Sequence, residues 1–330
     1  MLQLKNNTPF AAEFAFFPNE KGVDTLYTLV KTSFSIGPQW TLLNEQLPLQ
    51  KEDKYWIEAN NSSLRFASDF HPGKAATDII MIGSACSPQQ QPVRAMDVSL
   101  TVANRQKTIR VFGNRVWQGG RISAPEAFTE MPLVYERAFG GSHRVDDKVQ
   151  AVCDRNPVGT GFAGKRSESE MNGIALPNLE CPQQLIQDYR DQPTPACFAP
   201  TAPHWQPRVS HAGSYDEKWQ EERAPYLPDD YHPAFMNAAH PDLICDTFLT
   251  GGEPVSITGM HAMGALNFQL PQLKLINKLT VSGREVSTGF VLETLELDPN
   301  HLRLSMVWRA AFECDKKFLK INQINVSMIR

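Results

Sequence analysis

Residues 27–36 read Tyr27-Thr28-Leu29-Val30-Lys31-Thr32-Ser33-Phe34-Ser35-Ile36. Most of these side chains are β-branched or aromatic, the types that pack well on a pleated, half-buried surface. The stretch therefore predicts a strand. Gly37-Pro38 supplies a turn directly after it and aims the chain at Trp40-Thr41-Leu42-Leu43, so the pair reads as a hairpin.

Outward from this hairpin the same signal recurs. Asp78 to Met81 is an apolar run between Gly73 and Gly83, with the character of a strand covered on both faces. In Met96-Asp97-Val98-Ser99-Leu100-Thr101-Val102 the apolar residues fall at every second position. After a turn at Asn104-Arg105-Gln106 the pattern resumes through Ile109, Val111 and Phe112. Near the other end come Val255-Ser256-Ile257, Leu266 to Leu270, and a long run from Val286 to Leu297 that a turn at Asp298-Pro299-Asn300 closes. Beyond it Leu302, Leu304, Met306 and Trp308 alternate with Arg303, Ser305 and Arg309, which predicts an apolar face turned inward and a polar face turned outward.

Between these regions the chain is dense in proline, including Pro193, Pro195, Pro200, Pro203, Pro207, Pro225, Pro228, Pro233 and Pro241, and long helices are excluded there. One short helix is predicted over Tyr215 to Arg223, capped by Ser214 with Glu217 three residues on and stopped by Pro225. Trp205, Trp219, Tyr226, Tyr231, Phe235 and Phe248 give the segment enough aromatic surface to pack over the sheets. The expected fold class is all-β with a few short helices. Two sandwich-like β-regions, 1–124 and 253–330, are joined by an irregular middle, 125–252, with a single continuous domain as the alternative.

With 32 Lys and Arg against 36 Asp and Glu, the net charge of −4 gives no general attraction for nucleic acid or anionic membrane. No apolar run approaches the roughly 20 residues a spanning helix needs. No secretory leader is read at the amino terminus, where Pro9 and Glu13 follow Lys5, Asn6 and Asn7. Cys86, Cys153, Cys181, Cys197, Cys245 and Cys314 are scattered and form no C-x-x-C pair, which fits free thiols in a reducing cytoplasm.

Gly159-Thr160-Gly161-Phe162-Ala163-Gly164-Lys165-Arg166 matches G-x-G-x-x-G, and a phosphate loop as far as its lysine. Arg166 stands where a magnesium-binding hydroxyl belongs, and neither flank reads as the required strand or helix, so a flexible surface loop is expected. No two of the eight histidines have the spacing that presents paired metal ligands, and His71-Pro72, His232-Pro233 and His240-Pro241 read as turns. There is no G-x-S-x-G elbow; the adjacent pairs Asp146-Asp147 and Asp229-Asp230 read as solvated loops. No cofactor, metal or catalytic residue is predicted.

Several strings in order resemble a bacterial family. They begin with Val30-Lys31-Thr32-Ser33-Phe34, Ser68-Asp69-Phe70 with Lys74 and Thr77-Asp78, and Arg110-Val111-Phe112-Gly113-Asn114-Arg115-Val116-Trp117. They continue with Met131-Pro132-Leu133, Tyr135-Glu136-Arg137-Ala138-Phe139-Gly140-Gly141, Arg155-Asn156-Pro157-Val158-Gly159 with Gly161-Phe162, and Leu176-Pro177-Asn178-Leu179-Glu180. Further on are Tyr215-Asp216 with Trp219, Arg223 to Asp230, Phe235-Met236-Asn237-Ala238-Ala239 and Trp308-Arg309. Together they resemble a family long labelled a domain of unknown function, whose genes accompany the VgrG spike and PAAR-domain proteins of type VI secretion systems. After Asp69 the family tends to an aromatic before a Lys-Pro pair, whereas here His71-Pro72-Gly73-Lys74-Ala75 intervenes. The resemblance implies a cytoplasmic adaptor or chaperone without catalytic residues. Its implied partners are an effector with a PAAR-like amino-terminal region and VgrG.

Such an adaptor would cover an apolar segment or an exposed strand edge before loading. Trp117, Tyr135, Arg137, Phe139, Arg155 and Trp219 are the expected partner-binding anchors, aromatic and arginine side chains being enriched at interface centres. Core packing for the aromatics, and internal ion pairs for Glu136-Arg137 and Asp154-Arg155, are the structural alternatives. Two other functions compete: a hydrolase of carbohydrate or peptide with a loop-built site, and a structural component that leaves with the spike.

Overall fold

A computed structural model describes residues 2–37, 39–315 and 318–329. The fold is all-β, organised around three larger sheets. The central sheet runs in the order Ala11–Pro18, Asp24–Ser35, Arg303–Glu313, Val291–Asp298 and Asp78–Met81, and the short strand Thr41–Leu42 pairs with the end of Asp24–Ser35. The hairpin read from residues 27–43 is thus present, with Phe34 opposite Leu42 and Ser35 opposite Thr41. Pro38 of its turn lies outside the described residues. A second sheet takes the order Leu179–Glu180, Arg105–Phe112, Ala95–Val102, Pro254–Thr258 and Leu266–Gln269. The third, formed by the two ends of the chain, runs Gln3–Asn6, Ile321–Ile329, Lys274–Val281 and Arg284–Thr288.

Each sheet mixes strands from the two ends of the sequence. The strand-rich stretches 1–124 and 253–330 are therefore interleaved in space: Asp24–Ser35 pairs along its whole useful length with Arg303–Glu313, and Asp78–Met81 lies parallel to Val291–Asp298. One continuous cluster of buried side chains draws on all three sheets, with Val30, Phe34 and Met306 from the first, Val98, Ile109 and Ile257 from the second, and Leu279 and Ile324 from the third. A satellite core of Trp117, Phe139, Cys153, Met171 and Leu176 lies under the middle of the chain.

Several local expectations shift by a few residues. The turn between Ala95–Val102 and Arg105–Phe112 is Ala103-Asn104, so Arg105 and Gln106 already belong to the strand. The run from Val286 to Leu297 is broken at Gly289-Phe290 into two strands that join different sheets. The helix occupies Glu217–Glu222, and its cap is Asp216, whose Oδ1 accepts the Trp219 amide at 2.8 Å. Ser214 instead donates to Asp230 Oδ2 at 2.8 Å.

The largest difference concerns the second face of the central sheet. Alternation along 302–309 predicts a polar face toward water, yet Ser305 and Val307 are 3% and 1% exposed. Tyr27, Leu29, Lys31 and Ser33 share this face with Ser305, Val307 and Arg309, as the cross-strand register requires. The strip around 47–72 lies over it: Leu49 and Phe70 pack with Leu29 and Val307. Both faces of the sheet are consequently buried, one apolar and one rich in charge.

Candidate functional site

The covered polar face gathers charged side chains from widely separated segments. Lys31 Nζ lies 2.7 Å from Glu296 Oε2 and 3.7 Å from Asp69 Oδ2. Burial works against its charge, but the two carboxylates outweigh this and raise the ammonium above its usual range. Asp69 also accepts the Gln50 amide at 2.8 Å. A few residues on, Lys74 Nζ donates to Asp78 Oδ2 and to Thr294 Oγ1, both at 2.7 Å. The same Asp78 carboxylate accepts Asn237 Nδ2 at 2.8 Å and the Ala238 amide at 2.7 Å, so with Lys74 it takes three hydrogen bonds, at least one on each oxygen. Glu293 Oε1 accepts the Lys74 amide at 2.9 Å and Arg309 Nε at 2.8 Å, while its Oε2 has no hydrogen-bond partner.

His71 was expected in a turn but is buried against this network, with Nε2 3.8 Å from Glu293 Oε2. Burial, aided by Lys74 and Arg309, holds its imidazole well below the usual range and therefore neutral. The network's charges are paired and enclosed, which suits fixing the overlying strip in one register better than chemistry on a substrate. Of its members, Lys31, Asp69, Lys74, Asp78, Asn237 and Arg309 come from the strings on which the family resemblance rests, and Glu293 and Glu296 do not. Sequence reasoning did not single them out as a unit, because they span nearly the whole chain and no local spacing joins them.

The six expected anchors divide sharply. Trp117, Tyr135 and Phe139 are 4%, 2% and 2% exposed, which corrects their assignment as partner contacts: they are core residues. Tyr135 meets Trp205 edge to face at 5.5 Å and its hydroxyl lies 3.1 Å from Thr201 Oγ1. Trp117 and Phe139 build the satellite core. Arg137 donates to Asn178 Oδ1 at 3.0 Å, and Arg155 to the Gln192 carbonyl at 3.1 Å. Glu136 forms no ion pair with Arg137; it accepts the Ser63 amide and hydroxyl, both at 2.7 Å. Trp219 is half-buried beside Tyr215 and donates through Nε1 to the Tyr226 carbonyl at 2.8 Å. The arginines and Trp219 are therefore committed to loops of their own chain, and the six do not form one patch.

The glycine-rich string is a packed element and not a flexible loop. The amides of Gly159, Thr160 and Phe162 donate to the carbonyls of Asn156, Ala138 and Gly140, so they are not free to cradle a phosphate. Asn156 Nδ2 ties the same region together through the Tyr135 and Phe139 carbonyls at 2.7 and 3.0 Å. Among the described residues no group of three His, Cys, Asp or Glu is placed to hold a metal ion.

Directly after Gly141 the chain rises into a two-stranded ribbon, Ser142–Val145 and Lys148–Val152, that the sequence reading did not anticipate. Its turn residues Asp146 and Asp147 have φ of 47° and 62°, the pair of positive values of a type I′ turn. The usual Asn-Gly or Asp-Gly signal is missing, so the turn was read as a solvated loop. Among the described residues the ribbon pairs with no further strand. Val145, Val149 and Val152 are 49%, 51% and 48% exposed. Because paired positions alternate between faces, Val145 opposite Lys148 and Val149 opposite Arg144 lie on opposite sides of the ribbon tip. The ribbon's base is seated on the satellite core: the Cys153 amide donates to the Gly141 carbonyl at 3.0 Å, and Cys153 packs with Trp117 and Phe139. Two of the anchors inferred from sequence thus hold up the element that is exposed.

A family model described as "Uncharacterized protein conserved in bacteria (DUF2169)" matches residues 21–309. The chain belongs to this family. No curated protein and no solved structure matches it. The matched range of this DUF2169 chain takes in the central hairpin, the charged network and the ribbon, and ends at Arg309. No described helix is long and apolar enough to cross a membrane.

Proposed function

We propose that this protein is a non-catalytic adaptor of the bacterial cytoplasm, which binds and stabilises an effector through its PAAR-like amino-terminal region and loads it onto the VgrG spike. The secretion setting comes from the resemblance of the ordered strings. The observation that supports a protein-binding role is the Ser142–Val152 ribbon, which pairs with no further strand among the described residues and carries three half-exposed valines. An open strand edge carries unpaired N–H and C=O groups in strand spacing, and a partner strand can complete them while its side chains cover the valines. The satellite core seats the base of the ribbon, so little ordering cost falls on the adaptor when a partner adds.

Co-expression with the PAAR-like region of a neighbouring effector, followed by affinity capture, tests the reading. Wild type is expected to retain the effector in soluble form. Val145→Lys combined with Val149→Lys is expected to lose it while keeping the wild-type melting temperature, because both side chains are already solvated at the ribbon tip. Unchanged effector solubility and secretion in a strain lacking this protein would end the proposal.

A further inference from the structure

Five lysine or arginine side chains are buried among the described residues, and four have a carboxylate partner: Lys31 with Glu296, Lys74 with Asp78, Lys107 with Asp242 and Arg115 with Glu180. Arg208, 6% exposed, forms no ion pair. Its Nε donates to the Phe235 carbonyl at 2.9 Å and its Nη1 to the Thr201 carbonyl at 2.6 Å, which fixes the guanidinium plane and engages two of its five N–H donors. The Phe235 ring stands 5.6 Å from the guanidinium carbon. A desolvated cation held by neutral carbonyls alone is an unfavourable arrangement that a counter-charge relieves. Burial accordingly depresses its basicity.

Arg208 lines a cavity of about 420 Å³ whose walls are otherwise mainly apolar, with Phe17, Phe70, Phe235 and Met236 contributing. His71, Asp53 and Ser68 complete the polar lining. Asp53 accepts the Ser68 amide at 2.8 Å and forms no ion pair with Arg208, although it is the acidic group whose field acts most on it. We propose that this cavity binds a carboxylate carried on an apolar or aromatic body, with Arg208 as its counter-ion and the aromatic side chains around its body. A planar guanidinium with free N–H donors matches the two oxygens of a carboxylate, and a cavity of this size holds a body of one or two side chains. The inference is independent of what the ribbon binds.

N-acetylphenylalanine and N-acetylphenylalaninamide have the same body and differ in the charge, so they serve as paired probes for titration calorimetry on the full chain. The acid is expected to bind with a Kd on the order of 1 mM, from its size and the usual binding energy per atom. The amide is expected to bind at least about tenfold more weakly, since it lacks the charge-assisted bonds to Arg208. Asp53→Asn removes a like charge from the cavity and is expected to tighten the acid severalfold. Arg208→Gln should abolish binding. Should that variant fold poorly, Met236→Trp fills the cavity without touching the arginine and is expected to abolish binding as well, with thermal melting recorded to confirm the fold. A tetrapeptide ending in phenylalanine separates the two sources of the group: tighter binding than the acetylated amino acid assigns the site to a chain terminus, weaker binding to a free organic acid. Equal binding of acid and amide, or binding of neither at concentrations on the order of 10 mM, overturns the proposal.

Discussion

Replacing Asp69 by asparagine should make the protein more stable at neutral pH, and the gain should depend on pH in a defined direction. Asp69 is 3% exposed and shares the Lys31 ammonium with Glu296, which is the closer carboxylate at 2.7 Å against 3.7 Å. Burial disfavours its ionised form, Lys31 opposes this, and Glu296 adds to it; the proton is held up to about 6, against 3.8 for a free side chain. Below about pH 4 the carboxyl is protonated in both the folded and unfolded states. As pH rises from about 4 to about 6 the unfolded chain releases the proton while the folded chain keeps it, so this group's contribution to folding stability falls. At about 1.4 kcal/mol per pH unit the loss is about 3 kcal/mol, and above about pH 6 it stays constant. Asparagine does not titrate and retains an oxygen for the Gln50 amide. Urea unfolding followed by tryptophan fluorescence at a series of pH values gives the stability of both proteins, and their difference isolates the one site. The difference, variant minus wild type, should climb by about 3 kcal/mol between pH 4 and 7 and then level off. A difference that falls with rising pH would mean that Lys31 stabilises the ionised Asp69 by more than burial costs, and would refute the reasoning.

Other consequences are equally direct. Trp205, 1% exposed and packed edge to face on Tyr135, should cost about 3–5 kcal/mol when changed to alanine, visible as a large drop in urea midpoint. A Cβ added at Gly113 would lie 1.8 Å from the Glu126 carbonyl oxygen, so Gly113→Ala should destabilise by about 1–3 kcal/mol in the same assay despite its small size. Asp147, at φ 62° in the ribbon turn, should accept glycine with a gain of up to about 1 kcal/mol, read as slower amide exchange in the ribbon; faster exchange would contradict the turn assignment. Burial pushes the Cys197 thiol up to about 12, so iodoacetamide at pH 8 should modify the half-buried Cys86 and Cys181 well before Cys197, which mass spectrometry of a time course would reveal.

The sequence by itself determined the strands and the all-β class, because a strand's two-residue period and its β-branched side chains are local properties: Tyr27 to Ile36 and Met96 to Val102 identify themselves with no knowledge of their neighbours. The Pro-rich stretch announced its lack of long helices for the same local reason. Partner choice was not local. Val286 to Leu297 reads as one run, yet the break at Gly289 sends its halves to different sheets. For Trp117, Tyr135 and Phe139 the sequence left core and interface both open, since side-chain type is the same in either, and only packing distinguishes them. The ribbon escaped notice because Asp146-Asp147 lacks the glycine that usually marks the second position of this turn.

The polar face of the central sheet marks the clearest division. Alternation showed correctly that Ser305 and Arg309 share a side, beside which the register sets Lys31 and Ser33, but it could not show that water is absent from that side. Solvent is removed by the strip near residues 47–72, which folds over the sheet and brings Asp69 to Lys31, while Lys74 just before the edge strand covers Asp78 at that strand's start. The cavity behind Arg208 forms under the same cover, from residues 17 to 236. Periodicity specifies which side chains point together; only the tertiary path of the chain decides whether they meet water or one another, and with that whether a charge is solvated, paired or left waiting for a ligand.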